Sequence, residues 1–403
     1  MATQNLVIGF LPLVDACLPI LAQEHGFAEE EGLNLTFIRD VSWATVLDRL
    51  LYGHTDAAHM LAPLAIATTL GRGRPAQALC APFVLGLNGN GITLSRPLAA
   101  LVATPGEFGN PQAVGAALKV EAEQAIARGK RLRFGVVHRY SSHNYKLRYW
   151  LAASGIRPDE DIEITTVAPP FVADALASGE IDGACVGEPW NSVSVDRGVG
   201  TIVLATAQIW RRGVEKVLAM REATLDEKRP QTEALIRAMR KAGKHFVDPA
   251  NWEVNAAVLA GPQYLNADKA LVQRAISDHL VLDQGAPVVH FPDFMFQHTE
   301  AANFPWVSQA SWLYSQMARW DQVDFNADDA LKAARVFRPD IYRSALKPTG
   351  DDLPAANSKV EGSVSQLTQV GTQQGAITLS ENSFFDGRAF DPDHIETYLN
   401  ECP

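Results

Sequence analysis

The sequence predicts an α/β protein of two lobes with a ligand cleft between them, and three observations carry that expectation. The first is a repeat without a gap. Leu50, Gly53, Asp56, Ala58 and Pro63 recur as Leu176, Gly179, Asp182, Ala184 and Pro189, each pair 126 positions apart, and the same shift lands Gly9 on Gly135. The second is a steady alternation of short apolar runs with amphipathic segments, which is the pattern of a largely parallel sheet covered by helices. The third is the local grammar of each copy: a helix ends at a glycine, a small turn with Asp follows, and a buried strand comes next. In such sheets ligands collect beyond the carboxyl ends of the strands, so Leu61-Ala62-Pro63 and Gly187-Glu188-Pro189 mark two rims that can face each other.

Taken in order, the first copy reads as strand Leu6–Phe10, helix Ala16–His25, strand Leu33–Ile38, helix Trp43–Leu51, strand Ala57–Met60 and helix Pro63–Gly71. Strands Gln77–Val84 and Gly91–Ser95 complete it. Asn88-Gly89-Asn90-Gly91 breaks the pattern and reads as a turn whose short amides are free to meet a ligand. Residues 96–131 read as helix and loop, with a helix start at Thr104-Pro105-Gly106-Glu107. The second copy gives strand Arg133–Val137, helix His143–Ala153, strand Ile162–Val167, helix Phe171–Ala177 and strands Gly183–Val186 and Thr201–Thr206. After Thr206 the chain returns to the first lobe through Val214–Met220, which makes two crossings and a hinge.

Residues 225–345 are mainly helical, with a 3.6-residue apolar rhythm in Thr232–Phe246 and Val307–Trp320. Pro348–Gln374, rich in Ser, Gly, Gln and Asp, reads as a loose, wrapping tail. The expected domains are therefore a discontinuous first lobe (1–95 plus 207–345), a second lobe (96–206) and a tail (346–403).

At 403 residues and 47% hydrophobic content the chain can bury two cores. Its formal net charge of −11 would repel a phosphate backbone or an anionic membrane surface, which disfavours nucleic acid and membranes as direct partners and favours a basic protein. Cys17, Cys80, Cys185 and Cys402 show no zinc spacing and read as reduced, mostly buried thiols, with no metal or cofactor expected. The start has no basic region, the apolar run from Leu6 to Val14 is broken by Pro12, and it reads as the first strand rather than a secretion signal. Leu13-Val14-Asp15-Ala16-Cys17 faintly resembles a lipoprotein cleavage site, but Asp15 and the missing basic residues make Cys17 a core or rim residue.

Ser141-Ser142-His143-Asn144-Tyr145-Lys146-Leu147-Arg148-Tyr149-Trp150, with Cys185-Val186-Gly187-Glu188-Pro189-Trp190-Asn191 and Gly213-Val214-Glu215-Lys216, resembles the nitrate- and bicarbonate-binding proteins of cyanobacterial ABC transporters. It is most similar to their soluble relatives, the NasS-type cytoplasmic nitrate sensors. The resemblance covers about residues 5–325 and implies a two-lobed type II periplasmic-binding-protein fold. It further implies that the Trp43 indole, the Asn90 amide, His143 and Lys216 surround nitrate. The transporters carry glutamine where this chain has the shorter Asn90.

The chemistry of the anion suits that set. Nitrate is flat, monovalent and offers only acceptor oxygens, so it needs several N–H donors and about one positive charge, not an Arg fork. Without the resemblance each residue has an ordinary reading: His143 a helix cap, Lys216 a solvated charge, Trp43 core, Asn90 a turn residue. Glu188 reads as holding its own turn, because a carboxylate repels an anion.

No Ser-His-Asp set, phosphate loop or carboxylate pair stands out, so binding rather than catalysis is expected. The resemblance to the sensors implies nitrate-controlled release of an RNA-binding ANTAR-type antitermination regulator in the cytoplasm. The alternative is a transport receptor for nitrate, bicarbonate or a sulfonate. Lys216 favours nitrate, since the bicarbonate relatives place an acidic residue and calcium there.

Overall fold

A computed structural model describes residues 3–402. Ten strands form two five-stranded sheets: β1 (Gln4–Phe10), β2 (Leu33–Arg39), β3 (Ala57–Leu61), β4 (Leu79–Val84), β5 (Asn90–Ser95), β6 (Leu132–Val136), β7 (Ile162–Thr166), β8 (Gly183–Gly187), β9 (Gly200–Ala205) and β10 (Lys216–Arg221). The first sheet runs β2-β1-β3-β10-β4 and the second β9-β5-β8-β6-β7. Their shared core is parallel, β2-β1-β3 in one and β7-β6-β8 in the other. Each sheet then accepts one antiparallel strand beside β3 or β8, and in both cases that strand follows a crossing from the other lobe. β3 and β8 are the repeat made visible, since every residue of one is 126 positions from its counterpart.

Here the expected boundary at residue 95 is corrected. Asn90–Ser95, read as the last strand of the first copy, hydrogen-bonds in the second sheet between β8 and β9, so the first crossing precedes Asn90. Periodicity could not show this, because a strand buried along nearly its whole length is equally at home in either core. The helix start expected at Thr104 is also displaced: that stretch is a turn, and the helix runs Pro111–Ala127 with the Asn110 side chain accepting from the Ala113 N–H at 3.0 Å.

Six further helices position the site. These are α1 (Cys17–Glu24), α2 (Trp43–Leu51), α3 (Ala62–Thr69), α4 (Ser142–Ala153), α5 (Arg229–Val247) and α6 (Val307–Arg319). α5 covers the first lobe by packing on α1, while α6 touches both α3 of the first lobe and α4 of the second. Cys17, Cys80 and Cys185 are buried thiols, and none of the four cysteines is bridged.

The tail is not loose. Leu353 and Glu361 are buried, Thr368–Gly371 pairs with Ala376–Leu379, and Phe384 stacks on Trp210 with ring centroids 5.0 Å apart. Polar composition misled because few apolar residues, well spaced, are enough to anchor a segment to a surface already formed.

Candidate functional site

The two strands that enter from the opposite lobe both start at a rim. β10 begins with Lys216, which pairs with Leu61 at the end of β3. β5 begins with Asn90, which pairs with Gly187 at the end of β8. Leu61 and Gly187 are equivalent in the repeat, so Lys216 and Asn90 occupy corresponding places in the two lobes. The two rims meet: the Val14 N–H donates to the Glu188 carbonyl at 2.8 Å, and the Trp190 indole N–H to the Pro12 carbonyl at 3.1 Å.

Two helices aim their N-termini at the same place. α2 starts with Trp43 after Ser42, whose hydroxyl accepts from the Thr45 N–H at 3.2 Å. α4 starts with Ser142 and His143 after Ser141, whose hydroxyl accepts from the Asn144 N–H at 3.1 Å. The partial positive charge of such helix ends favours an anion.

Between them lies a fully buried polar cluster centred on Glu215. Its carboxylate accepts from the Asn90 amide and from the Ser142 hydroxyl. Lys216 Nζ lies 3.2 Å from it, His143 Nδ1 3.5 Å and Lys146 Nζ 3.8 Å. Lys216 also donates to Asp15 at 2.8 Å, and the other Asp15 oxygen bonds His59 Nε2 at 2.8 Å. The Trp43 ring stands 5.5 Å from Lys216 Nζ and 5.3 Å from the His59 ring. Among the described residues, neither Trp43 Nε1 nor His143 Nε2 has a hydrogen-bond partner, although both are buried. That is uncommon for buried polar atoms in a folded protein.

Burial alone would raise the Asp15 and Glu215 carboxyls. The Lys216 ammonium and His59 hold Asp15 well below the usual carboxylate range, while His143, Lys216 and Lys146 bring Glu215 down to about 2. Burial pushes His143 down to about 3 and also lowers His59. At neutral pH the His143 imidazole is therefore uncharged, and the Lys216 ammonium, 3.2 Å away, is the nearest positive charge to Glu215. Burial would lower Lys216, but Asp15 and Glu215 override it and raise the ammonium; Lys146, with Glu215 farther away, is lowered. Two lysines thus face two carboxylates in one buried cluster.

The structure brings all four expected residues together: Asn90, His143 and Lys216 meet at Glu215, and Trp43 lies against Lys216. Two details depart from the sequence reading. Lys216 is not the sole full charge, and the Asn90 amide is engaged by Glu215 instead of free. Sequence reasoning missed Asp15, His59, Ser142, Lys146 and Glu215. A signal existed for some of them: His59 interrupts an otherwise apolar buried strand, Asp15 ends the first apolar run, and Lys146 stands one helical turn from His143. Glu188 is buried at the rim, its carboxylate accepting from the Ser192 N–H at 3.3 Å, and burial raises it to about 7. Among the described residues no cluster of three or more His, Cys, Asp and Glu side chains could hold a metal ion, and no helix is long and apolar enough to cross a membrane.

Comparison with known proteins places this geometry. The nitrate/nitrite binding protein NrtA of Synechococcus elongatus is 29% identical over 407 residues, covering 98% of this chain and 86% of the relative. The nitrate import ATP-binding protein NrtC of a Synechocystis species is 33% identical over 350 residues, covering 86% of this chain and 50% of the relative. The chain spans about half the length of the ATP-binding relatives it matches. The crystal structure of the periplasmic nitrate-binding protein NrtA from Synechocystis superposes with a TM-score of 0.86 at 25% identity, over 100% of this chain and 99% of that one. The fold is thus the α/β periplasmic-binding-protein fold, and the profile of the NMT1-like family matches residues 2–260. With well over half of its length matched, the chain belongs to the NMT1-like family.

Proposed function

We propose that this protein is a receptor for nitrate, with nitrite as a second ligand, held between the lobes without chemical change. The observation that carries the reading is the pair of buried, unpartnered ring nitrogens, Trp43 Nε1 and His143 Nε2, on two helix N-termini beside Lys216. A flat anion with only acceptor oxygens matches such a set. The similarity to proteins named for nitrate binding supports the same ligand. Titration calorimetry with nitrate, nitrite, bicarbonate and an alkanesulfonate tests it. Heat with nitrate and nitrite is expected, and heat with bicarbonate or the sulfonate alone overturns the assignment.

For the output we propose a cytoplasmic sensor that holds a small RNA-binding antitermination regulator of the ANTAR type and releases it on binding nitrate. The resemblance to NasS-type sensors supports this, and the net charge of −11 suits a partner with a basic working face. By linkage the partner must weaken nitrate binding by the factor with which nitrate weakens the partner. The second reading is the binding component of a nitrate uptake system, favoured by the similarity to NrtA and NrtC. Size-exclusion chromatography with the purified regulator separates the two. Co-elution lost on adding nitrate supports the sensor, and no complex in either condition returns the protein to transport.

A further inference from the structure

Three of the four residues assigned to the anion, Asn90, His143 and Lys216, already surround a carboxylate together with Ser142 and Lys146. Asn90 and Ser142 donate to the Glu215 carboxylate, Lys216 closes to 3.2 Å, His143 to 3.5 Å and Lys146 to 3.8 Å. A carboxylate is planar, carries one negative charge and accepts hydrogen bonds in its plane, so the donors that suit it are those that suit a small planar anion. Glu215 also sits just before β10, on the segment that crosses between the lobes, with its carbonyl accepting from the Ala62 N–H at 3.4 Å. Asp15, the other carboxylate, bonds Lys216 and His59, and among the described residues no hydrogen bond joins it to Asn90 or Ser142.

We propose that Glu215 is a specificity-determining residue whose carboxylate occupies the anion's seat and competes with the anion for Asn90, Ser142, His143 and Lys216. The inference rests on reading the cleft as a site for a small planar anion. It predicts that affinity is set by the difference between two similar sets of contacts. Removing the side chain's charge should therefore tighten binding, whereas a residue that merely orients Lys216 and His143 would weaken it when changed.

Two variants test this. Glu215→Gln keeps the shape and removes the charge, and its nitrate Kd by calorimetry should fall by about tenfold or more. Asp15→Asn removes an equal charge away from the seat and should gain less; an equal gain in both would reduce the effect to charge alone and overturn the seat. Glu215→Ala clears the seat, and added formate, itself a small carboxylate, should raise its melting temperature by several degrees more than that of the wild-type protein. Rescue by formate but not by nitrate keeps the seat and defeats the nitrate reading. A folded Glu215→Ala protein that formate does not stabilise, or a Glu215→Gln protein that binds nitrate no more tightly, overturns the proposal.

Discussion

Lys216 is at once a buried ion-pair partner and a candidate contact for the anion. Its ammonium links Asp15 to Glu215 in a region without water access, so Lys216→Glu sets a third carboxylate among two and repels any anion brought there. Nitrate heats should vanish in calorimetry; unchanged affinity would remove Lys216 from the site. Because breaking a buried pair destabilises by about 3–5 kcal/mol, circular dichroism should accompany the titration, with Lys216→Gln as the milder variant. Glu188 offers a test of a different kind. Its folded pKa, near 7, is raised above the ordinary 4.5, so its contribution to stability is full below that ordinary value and is lost as pH rises through 7. Urea unfolding of Glu188→Gln should lack that decline, leaving the variant more stable than wild type by on the order of 2–3 kcal/mol at about pH 8. Equal pH profiles would mean that Glu188 is ionised in the fold.

At the scale of elements, the site depends on where helices begin and strands enter. α4 carries Ser142, His143 and Lys146 on its first turns, and the Ser141 hydroxyl caps it by accepting from Asn144 while donating to the His138 carbonyl at 2.7 Å. Ser141→Ala should cost about 1 kcal/mol of stability and weaken nitrate binding severalfold, since the fraying turn is the one that holds His143. A loss of stability with an unaltered Kd would show that the helix start is not part of the site. The repeat also departs from itself for a reason visible here. Where the first copy has Leu61, the second has Gly187, and a Cβ there would lie 3.1 Å from Asn90 Oδ1. Glycine lets the amide lie over the strand.

For the whole molecule, the rims are in contact through Val14, Glu188, Trp190 and Pro12, so the described arrangement is a closed one. Hinge closure about the crossings before Asn90 and Lys216 would then accompany binding. Small-angle scattering should give a radius of gyration that shrinks on adding nitrate toward the value calculated from this structure. An unchanged radius would mean that the protein is already closed in solution, and that its output depends on order and not on shape.

The sequence by itself determined the repeat and the parallel α/β core of both lobes, because hydrophobic period and glycine turns act over a few residues. Trp43, Asn90, His143 and Lys216 were singled out through motif resemblance, and each stands at the start of an element. Only the tertiary structure decided the rest. Asp15 meets Lys216 across 201 positions, and Glu215 gathers Asn90, Ser142, His143 and Lys146 from two separate segments. Which lobe claims Asn90–Ser95, how the carboxylates balance the lysines and where the tail anchors all depend on long-range packing, which leaves no periodic trace along the chain.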